Sequence, residues 1–427
     1  MYNTPMSDTP IIQPRLLKGF RDTLPAQMRA RQHLIATTQA VLETFAFTPL
    51  ETPALEFADI LLGKLGDEGE KLLYKFTDHG QREVALRYDF SVPLARVVAQ
   101  YPDLPKPFKR YQVGPVWRAD NTQRGRFREF YQFDMDIVGS TSPLADAEIL
   151  VLIQNILLKL GLTDFIIRVN DRQYMNDQLI SCGLSVDEQK VVYAWLDKWD
   201  KIGGEVAVLE GLKSDGLSSE QVSQVKEALL SPAHKSLTTA LQHTLNLAAS
   251  LGLQERYIKI DPSVVRGLDY YSGIVFETNL TNAPEYGSIF SGGRYDGLVG
   301  RFSHQQVPAV GASIGVDRLL AAMEALGLSN HDATKKSVFV TLFNQDLASQ
   351  GLDLAQLLRS RGIDTEVAFD IGSISKQLKV ASQKGVTFVA IIGPDEAAQH
   401  LVTLRDMQNG NEQKLTQDQL IDHLLQG

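Results

Sequence analysis

Between Phe108 and Gly139 the chain reads FKRYQVGPVWRADNTQRGRFREFYQFDMDIVG, and no other stretch restricts the fold as tightly. Two extended runs flank a charged loop. Side chains of a strand alternate between the two faces of its sheet. In the second run Phe127, Tyr131, Phe133, Met135 and Ile137 therefore share one face, with Glu129 as the exception. Arg128, Phe130, Gln132, Asp134 and Asp136 share the other, and that polar face predicts contact with water or with a site. The loop Ala119–Arg126 carries Asp120, Arg124 and Arg126, with Gly125 to let it bend. From Pro105 to Arg128 the basic residues are Lys106, Lys109, Arg110, Arg118, Arg124, Arg126 and Arg128, against the single acid Asp120. The whole chain has a net charge of −9. A cationic hairpin on an acidic protein points to a phosphate-rich ligand.

The 427 residues suffice for two or three domains, and 44% hydrophobic with 22% charged residues is the composition of a soluble globular protein. No apolar run reaches membrane-spanning length, so no membrane partner is expected. Met1–Pro14 is polar and punctuated by proline, and reads as a flexible tail without a secretory signal. The single cysteine, Cys182, excludes an intramolecular disulfide and a cysteine-built zinc site. Eight histidines are scattered without ligand spacing, and no protein-bound metal is expected. These features predict a cytoplasmic protein.

Leu34, Ile35, Thr38, Val41, Leu42 and Phe45 recur at helical spacing, and a short strand, Phe47–Thr52, follows and ends at Pro53. Val84–Pro93 reads as a strand that leaves through Pro93 into a helix, Leu94–Ala99. Asp89 and Ser91 sit at that junction, where an acid can cap the helix. Leu144–Leu160 reads as a long helix, Ile166–Asn170 as a strand, and helical periodicity dominates from Asp171 to about Gln254. Glycine-rich blocks follow: Val264–Gly273, then a strand Ile274–Thr278, then Ser291–Leu298 and Gly311–Leu319. Met323–Lys336 is polar and predicts a linker. Beyond it strands (Val338–Leu342, Thr365–Ala368, Thr387–Ile392, Leu401–Arg405) alternate with helices (Leu347–Ser360, Ile374–Lys384, Gln417–Leu425). That order predicts a small α/β domain with a mostly parallel sheet.

Trp117-Arg118, a loop, then Phe127-Arg128-Glu129-Phe130 resembles motif 2 of the class II aminoacyl-tRNA synthetases, and the continuation Tyr131–Asp136 is similar to the histidine-specific branch of that family. The first helix, strand and proline resemble motif 1, the family's dimer interface. Val264–Gly273 and Ser291–Leu298 resemble the two histidine signatures, and Gly311–Leu319, a glycine-rich strand turning into a helix at Arg318, resembles motif 3. Motif 2, the two histidine signatures and motif 3, in the family's order, are far more specific than any one of them. The resemblance implies an α/β (α+β) fold, with an antiparallel-sheet catalytic domain over 15–170 and 257–325 and a helical insertion over 171–256. A linker, 326–336, and an anticodon-binding domain, 337–427, complete it. The last domain is not basic overall, with nine Lys+Arg and eleven Asp+Glu from Lys335 to Gly427, so its RNA contacts would be local; Lys376 and Lys379 share a helix face.

The implied activity is ATP-dependent attachment of L-histidine to tRNA(His) through a histidyl-adenylate, in a homodimer, with Mg2+ carried by the nucleotide. Arginine suits such chemistry because its fork binds phosphate oxygens bidentately and keeps its charge. By resemblance Arg118 contacts the α-phosphate, Arg126 and Arg318 the outer phosphates, and Phe130 lies under adenine. Asp89 and Gln132, with Ser91 beside them, take the amino group of histidine. Asp136 and Tyr271 take the imidazole, with Tyr270 alongside. Arg266 bridges the histidine carboxylate and the α-phosphate, and acts catalytically with Arg118. Strict alternation cannot turn both Tyr270 and Tyr271 into one pocket, so a bend is expected at Gly267 or Gly273. Many bacterial relatives carry Glu where this chain has Asp89 and Asp136, and Ala119 replaces a bulkier polar residue, which bears on the tRNA contacts of its loop. A second implied reading is the synthetase-like regulatory subunit of ATP phosphoribosyltransferase. That subunit typically lacks the C-terminal domain and loses parts of the signature that this chain retains from Arg266 to Tyr271.

Overall fold

Phe108–Trp117 and Glu129–Val138 pair antiparallel over their full length, from Phe108↔Val138 to Trp117↔Glu129. Phe133, Met135 and Ile137 enter the main apolar core, while Asp134 and Asp136, equally buried, project from the opposite face. A slip of one residue would drive these acids into the core, so burial fixes the register. Phe127 departs from the alternation: it precedes the first paired residue, Glu129, and turns toward the polar side.

The computed structural model describes residues 12–62, 72–121, 127–230, 238–265, 271–328 and 336–425. Its strands, in chain order, are β1 (Thr48–Pro49), β2 (Leu55–Phe57), β3 (Lys75–Thr77), β4 (Glu83–Leu86), β5 (Phe108–Trp117), β6 (Glu129–Val138), β7 (Phe165–Asp171) and β8 (Ile258–Ile260). Then come β9 (Ile274–Leu280), β10 (Ser288–Arg294), β11 (Ala309–Gly315), β12 (Ser337–Val340), β13 (Asp364–Val367), β14 (Phe388–Ile391), β15 (Val402–Asp406) and β16 (Glu412–Leu415). The main sheet runs β1-β5-β6-β11-β10-β9-β7-β8. Neighbours from β5 to β7 are all antiparallel, and the edge strands β1 and β8 are parallel to theirs. A smaller sheet, β2-β4-β3, stands apart.

Helices Pro25–Thr44, Pro143–Lys159, Thr239–Ser250 and Val316–Ala325 contribute Leu34, Leu42, Ile149, Ile153, Leu157, Ala248 and Leu319 to the core under this sheet. Pro143–Lys159 starts at Ser142, whose hydroxyl accepts from Leu144 N at 3.2 Å, and is apolar nearly all round because it is buried nearly all round. The helices from Arg172 to Leu230 gather around a core of their own, with Met175, Leu179, Val192, Leu212 and Leu229.

Three elements depart from expectation. The helix expected at Leu94 starts at Ser91 and includes Pro93 in its first turn, where the N–H that proline lacks has no helical partner to lose. The strand expected over Phe47–Thr52 pairs only at Thr48–Pro49. Met323, expected in a linker, is buried in the helix Val316–Ala325.

The chain divides into two compact units, Met1–Ser329 and Asn330–Gly427. In the second, the sheet runs β13-β12-β14-β15-β16. The first two pairings are parallel and the last two antiparallel, so the sheet is mixed and not mostly parallel. The difference is the hairpin β15–β16, which turns through Asn409-Gly410 with Gly410 at φ +77° and Asp406 accepting from Gln408 N at 2.8 Å.

Arg294, at the end of β10, donates from Nε to Asp146 Oδ1 at 3.0 Å and from Nη1 to Ser140 O at 2.9 Å. The bond locks the sheet to the start of the helix Pro143–Lys159. Asp146→Ala should strip a buried guanidinium of its nearest carboxylate, leaving Ser140 O, Ser142 O and the more distant Asp296, and cost about 1.5–3 kcal/mol in denaturant unfolding. A loss below about 1 kcal/mol would show that the pair does not hold the two layers together.

Candidate active site

The polar face of the main sheet forms the floor of a cleft of about 420 Å³. Cross-strand register sets its rows. In one row Arg110, Asp136, Gly311 and Gly293 are neighbours on β5, β6, β11 and β10. Asp136 Oδ2 lies 2.7 Å from Arg110 Nη2, with both side chains buried, and Asp136 Oδ1 accepts from the Tyr295 hydroxyl. Asp136 leans across Gly311: a Cβ there would sit 1.9 Å from Asp136 Oδ1. At Gly293 a Cβ would meet Ile274 O at 2.5 Å and the Tyr271 ring at 2.9 Å. The glycine-rich signatures are therefore floor clearance. In the next row Gln112, Asp134 and Ser313 are neighbours, and Gln132 donates from Nε2 to Ser313 Oγ at 2.8 Å.

The turn before the helix Ser91–Gln100 brings Asp89 to the cleft. Its Oδ1 accepts from Val92 N at 3.3 Å, so it caps the helix, while Oδ2 is buried with no hydrogen-bond partner. Burial pushes the Asp89 carboxyl up to about 6, against the pull of Arg118 and the Val92 N–H. Burial pushes Asp134 up to about 7 despite Arg110, and raises Asp136 as well, opposed by Arg110 and Tyr295.

At the other end, Arg118 Nε donates to Tyr88 O at 3.0 Å and its guanidinium lies 5.2 Å from the Phe130 ring centre. Arg318, in the first turn of the helix Val316–Ala325, donates from Nη1 to Ser288 O at 2.6 Å. Asp89, Ser91, Arg118, Phe130, Gln132, Asp136, Tyr271 and Arg318 all line this one cleft. Arg126, Arg266 and Tyr270 lie outside the described residues, as does the bend expected at Gly267. Several cations of the hairpin are engaged within the fold: Arg110 by Asp136, Lys109 by Glu148, and Arg128 Nε by Asp120 O at 3.2 Å.

Sequence reasoning missed several lining or supporting groups. Alternation puts Asp134 on the right face without assigning it a role; Arg110 and Tyr295 need the strand register to be seen. Asp317 is the largest omission. β11 leaves the sheet after Gly315↔Gln132, and the next N–H of β6, at Tyr131, donates to Asp317 Oδ2 at 2.7 Å instead. Its Oδ1 accepts from Arg21 Nη2 at 2.6 Å and from Arg31 Nη2 at 3.0 Å. Arg21 in turn covers the Phe127 ring at 3.9 Å and Arg31 the Tyr131 ring at 4.3 Å. The N-terminal segment is thus clamped to the wall that carries Arg318.

An antiparallel sheet floored with carboxylates, an arginine-bearing hairpin, and a glycine-rich strand running into a helix at Arg318 make the catalytic architecture of the class II aminoacyl-tRNA synthetases. Residues 19–319 match the family model described as histidyl-tRNA synthetase, and residues 337–426 match the anticodon binding domain. The histidine–tRNA ligase of Rhodopirellula baltica is 41% identical over 405 residues, covering 90% of this chain and 91% of its own. The histidyl-tRNA synthetase structure from Nostoc sp. PCC 7120 superposes with a TM-score of 0.85 at 31% identity, covering 97% of this chain and 100% of that one. A Bacillus halodurans structure described as an ATP phosphoribosyltransferase regulatory subunit/histidyl-tRNA synthetase shares the fold, with a TM-score of 0.71 at 22% identity. The chain belongs to the histidyl-tRNA synthetase family.

A carboxyl whose folded value is raised keeps a proton that the unfolded chain has released, so stability falls as pH rises past the ordinary value. For Asp89 and Asp134 the window runs from 3.8 through about 6 and about 7. The melting temperature of the ligand-free protein should therefore fall as the buffer is raised across that window, and Asp89→Asn should flatten the slope. An unchanged slope in the variant would remove Asp89 as a source of the effect.

Proposed function

We propose that this protein attaches L-histidine to tRNA(His), first forming histidyl-adenylate from ATP and then passing the acyl group to the terminal ribose of the tRNA. The observation that carries this reading is the convergence of Asp89, Gln132 and Asp136 with Arg118, Phe130 and Arg318 on one cleft. Acids at the floor suit an ammonium and an imidazole. Arginines at the far end suit a triphosphate.

In this reading Asp89, Gln132 and Ser91 hold the amino group, and Asp136, oriented by Arg110 and Tyr295, accepts from the imidazole with Tyr271 and Tyr270 beside it. Arg118 neutralises the α-phosphate, Arg318 and Arg126 the outer phosphates, and Phe130 supports the adenine ring. Arg266 holds the histidine carboxylate and the α-phosphate together against their mutual repulsion. Attack on phosphorus needs mainly positioning and charge neutralisation, which these side chains supply. Mg2+ arrives with ATP, and the oxygen-rich lining, including Glu277, fits a hard cation. The C-terminal unit binds the anticodon, its match over 337–426 favouring the ligase over a regulatory subunit. The protein acts in the cytoplasm as a homodimer; the exposed Leu55, Phe57 and Phe76 of the small sheet support a partner surface there.

Histidine alone among the standard amino acids should drive exchange of pyrophosphate into ATP; folded protein without exchange in the presence of Mg2+ would reject the ligase. A chain ending at Ser329 should still make adenylate yet charge tRNA poorly at low tRNA concentration. Undiminished charging by that shortened chain would contradict the role given to the C-terminal unit.

A further inference from the structure

Among the described residues lining the cleft, five side-chain oxygens are buried without a hydrogen-bond partner: Tyr88 Oη, Asp89 Oδ2, Gln132 Oε1, Asp134 Oδ1 and Asp136 Oδ2. Asp136 Oδ2 has an ionic partner in Arg110 Nη2 at 2.7 Å, and the Tyr88 hydroxyl can donate as well as accept. Asp89, Gln132 and Asp134 are left, each with one open acceptor. Leaving buried acceptors unmet is costly, so three in one cavity form a ready site for the donors of a ligand. A primary ammonium carries three N–H donors and no acceptor. Two carboxylates and an amide oxygen match it in number and in charge.

The geometry points to Asp134 as the third acceptor of the substrate's α-ammonium group, a specificity residue completing a tripod with Asp89 and Gln132. The inference rests on the reading of the cleft as a histidine site and adds a residue to it. Asp136 stands apart from the tripod because its oxygens already meet Tyr295 and Arg110, and in this reading its remaining lone pairs serve the imidazole. Asp134 is 4% exposed and stands on the same face of β6 as Gln132. Ser313 stands between the two: its hydroxyl accepts from Gln132 Nε2 at 2.8 Å, and it faces Asp134 across the β11–β6 register. The amide nitrogen of Gln132 is thus spent on Ser313, and its oxygen is left for the ligand.

The charges facing Asp134 are Arg110 from β5, Asp136 from its own strand and Asp89 from the turn before the helix Ser91–Gln100. Burial, reinforced by the two acids, sets its carboxyl near neutrality, so the free site carries a proton there part of the time. The ammonium takes that proton's place. A ligand with the imidazole and carboxylate of histidine but no amino group offers nothing in exchange, and the tripod discriminates against it.

The test is calorimetric binding to the full chain of L-histidine and of imidazolepropionic acid, which lacks only the amino group, by the parent and by Asp134→Asn. Loss of one charge-assisted contact should weaken histidine about 10- to 100-fold, leave the deamino acid unchanged, and lower the number of protons released on histidine binding. Equal weakening of both ligands would overturn the inference, by making Asp134 a determinant of pocket shape or ring binding. Unchanged binding of both with a lower melting temperature would also overturn it, by making Asp134 only a counter-ion for Arg110. If Asp134→Asn does not fold, Asp134→Glu keeps the charge and moves the acceptor by one methylene; it should show the same selective loss, and undiminished histidine binding would overturn the inference. A parent that binds no histidine overturns the reading of the cleft and this inference with it. A parent that binds histidine and an Asn variant that binds it equally well overturns the inference alone.

Discussion

The buried guanidinium of Arg110 is the group on which the site depends. It is fully enclosed, and its Nη2 serves Asp136 Oδ2 at 2.7 Å and Phe90 O at 3.4 Å. Three aspartates buried together need a cation or a bound proton, because each unpaired charge in a low-dielectric interior costs several kcal/mol. Arg110 supplies that cation from β5, one strand away from the acids. Through Phe90 it also holds the turn that presents Asp89. The floor and the turn are therefore positioned by one side chain, and the incoming ligand meets a site already arranged and short of positive charge.

Much of this was legible in the sequence where a local rule was enough. Alternation in β6 separated Phe133, Met135 and Ile137 from Gln132, Asp134 and Asp136, and the structure places them as alternation requires. Alternation failed at Phe127 because the rule holds only inside the ladder, and the ladder begins at Glu129. Register was not legible. Nothing local says that Arg110 stands opposite Asp136, or that Gly311 is the clearance for its carboxylate. The helix starts at Ser91, ahead of the boundary that Pro93 suggests, because proline is compatible with any position of a first turn. The hairpin β15–β16 carried a turn signal in Asn409-Gly410, and reading it would have corrected the sheet of the C-terminal unit.

Asp317 could not have been read locally at all. Its neighbour Arg318 marks a motif, but its own partners lie 296 and 286 positions away, at Arg21 and Arg31. It is the place where the first and last parts of the catalytic unit meet, with a backbone N–H of β6 between them. The wall bearing Phe127, Tyr131 and Arg318 is thus assembled from three regions of the chain.

That clamp has a consequence for how the protein is made. At about 5–20 residues per second, a ribosome that has released Arg31 needs roughly 15 to 60 seconds more to reach Asp317. During that interval Arg21 and Arg31 lack Asp317, and the wall of the cleft that carries Arg318 cannot assemble. The earliest segment of the nascent chain must wait for one of the latest. The catalytic unit therefore completes its shape near the end of its own synthesis, and until then the N-terminal segment has no wall to dock on.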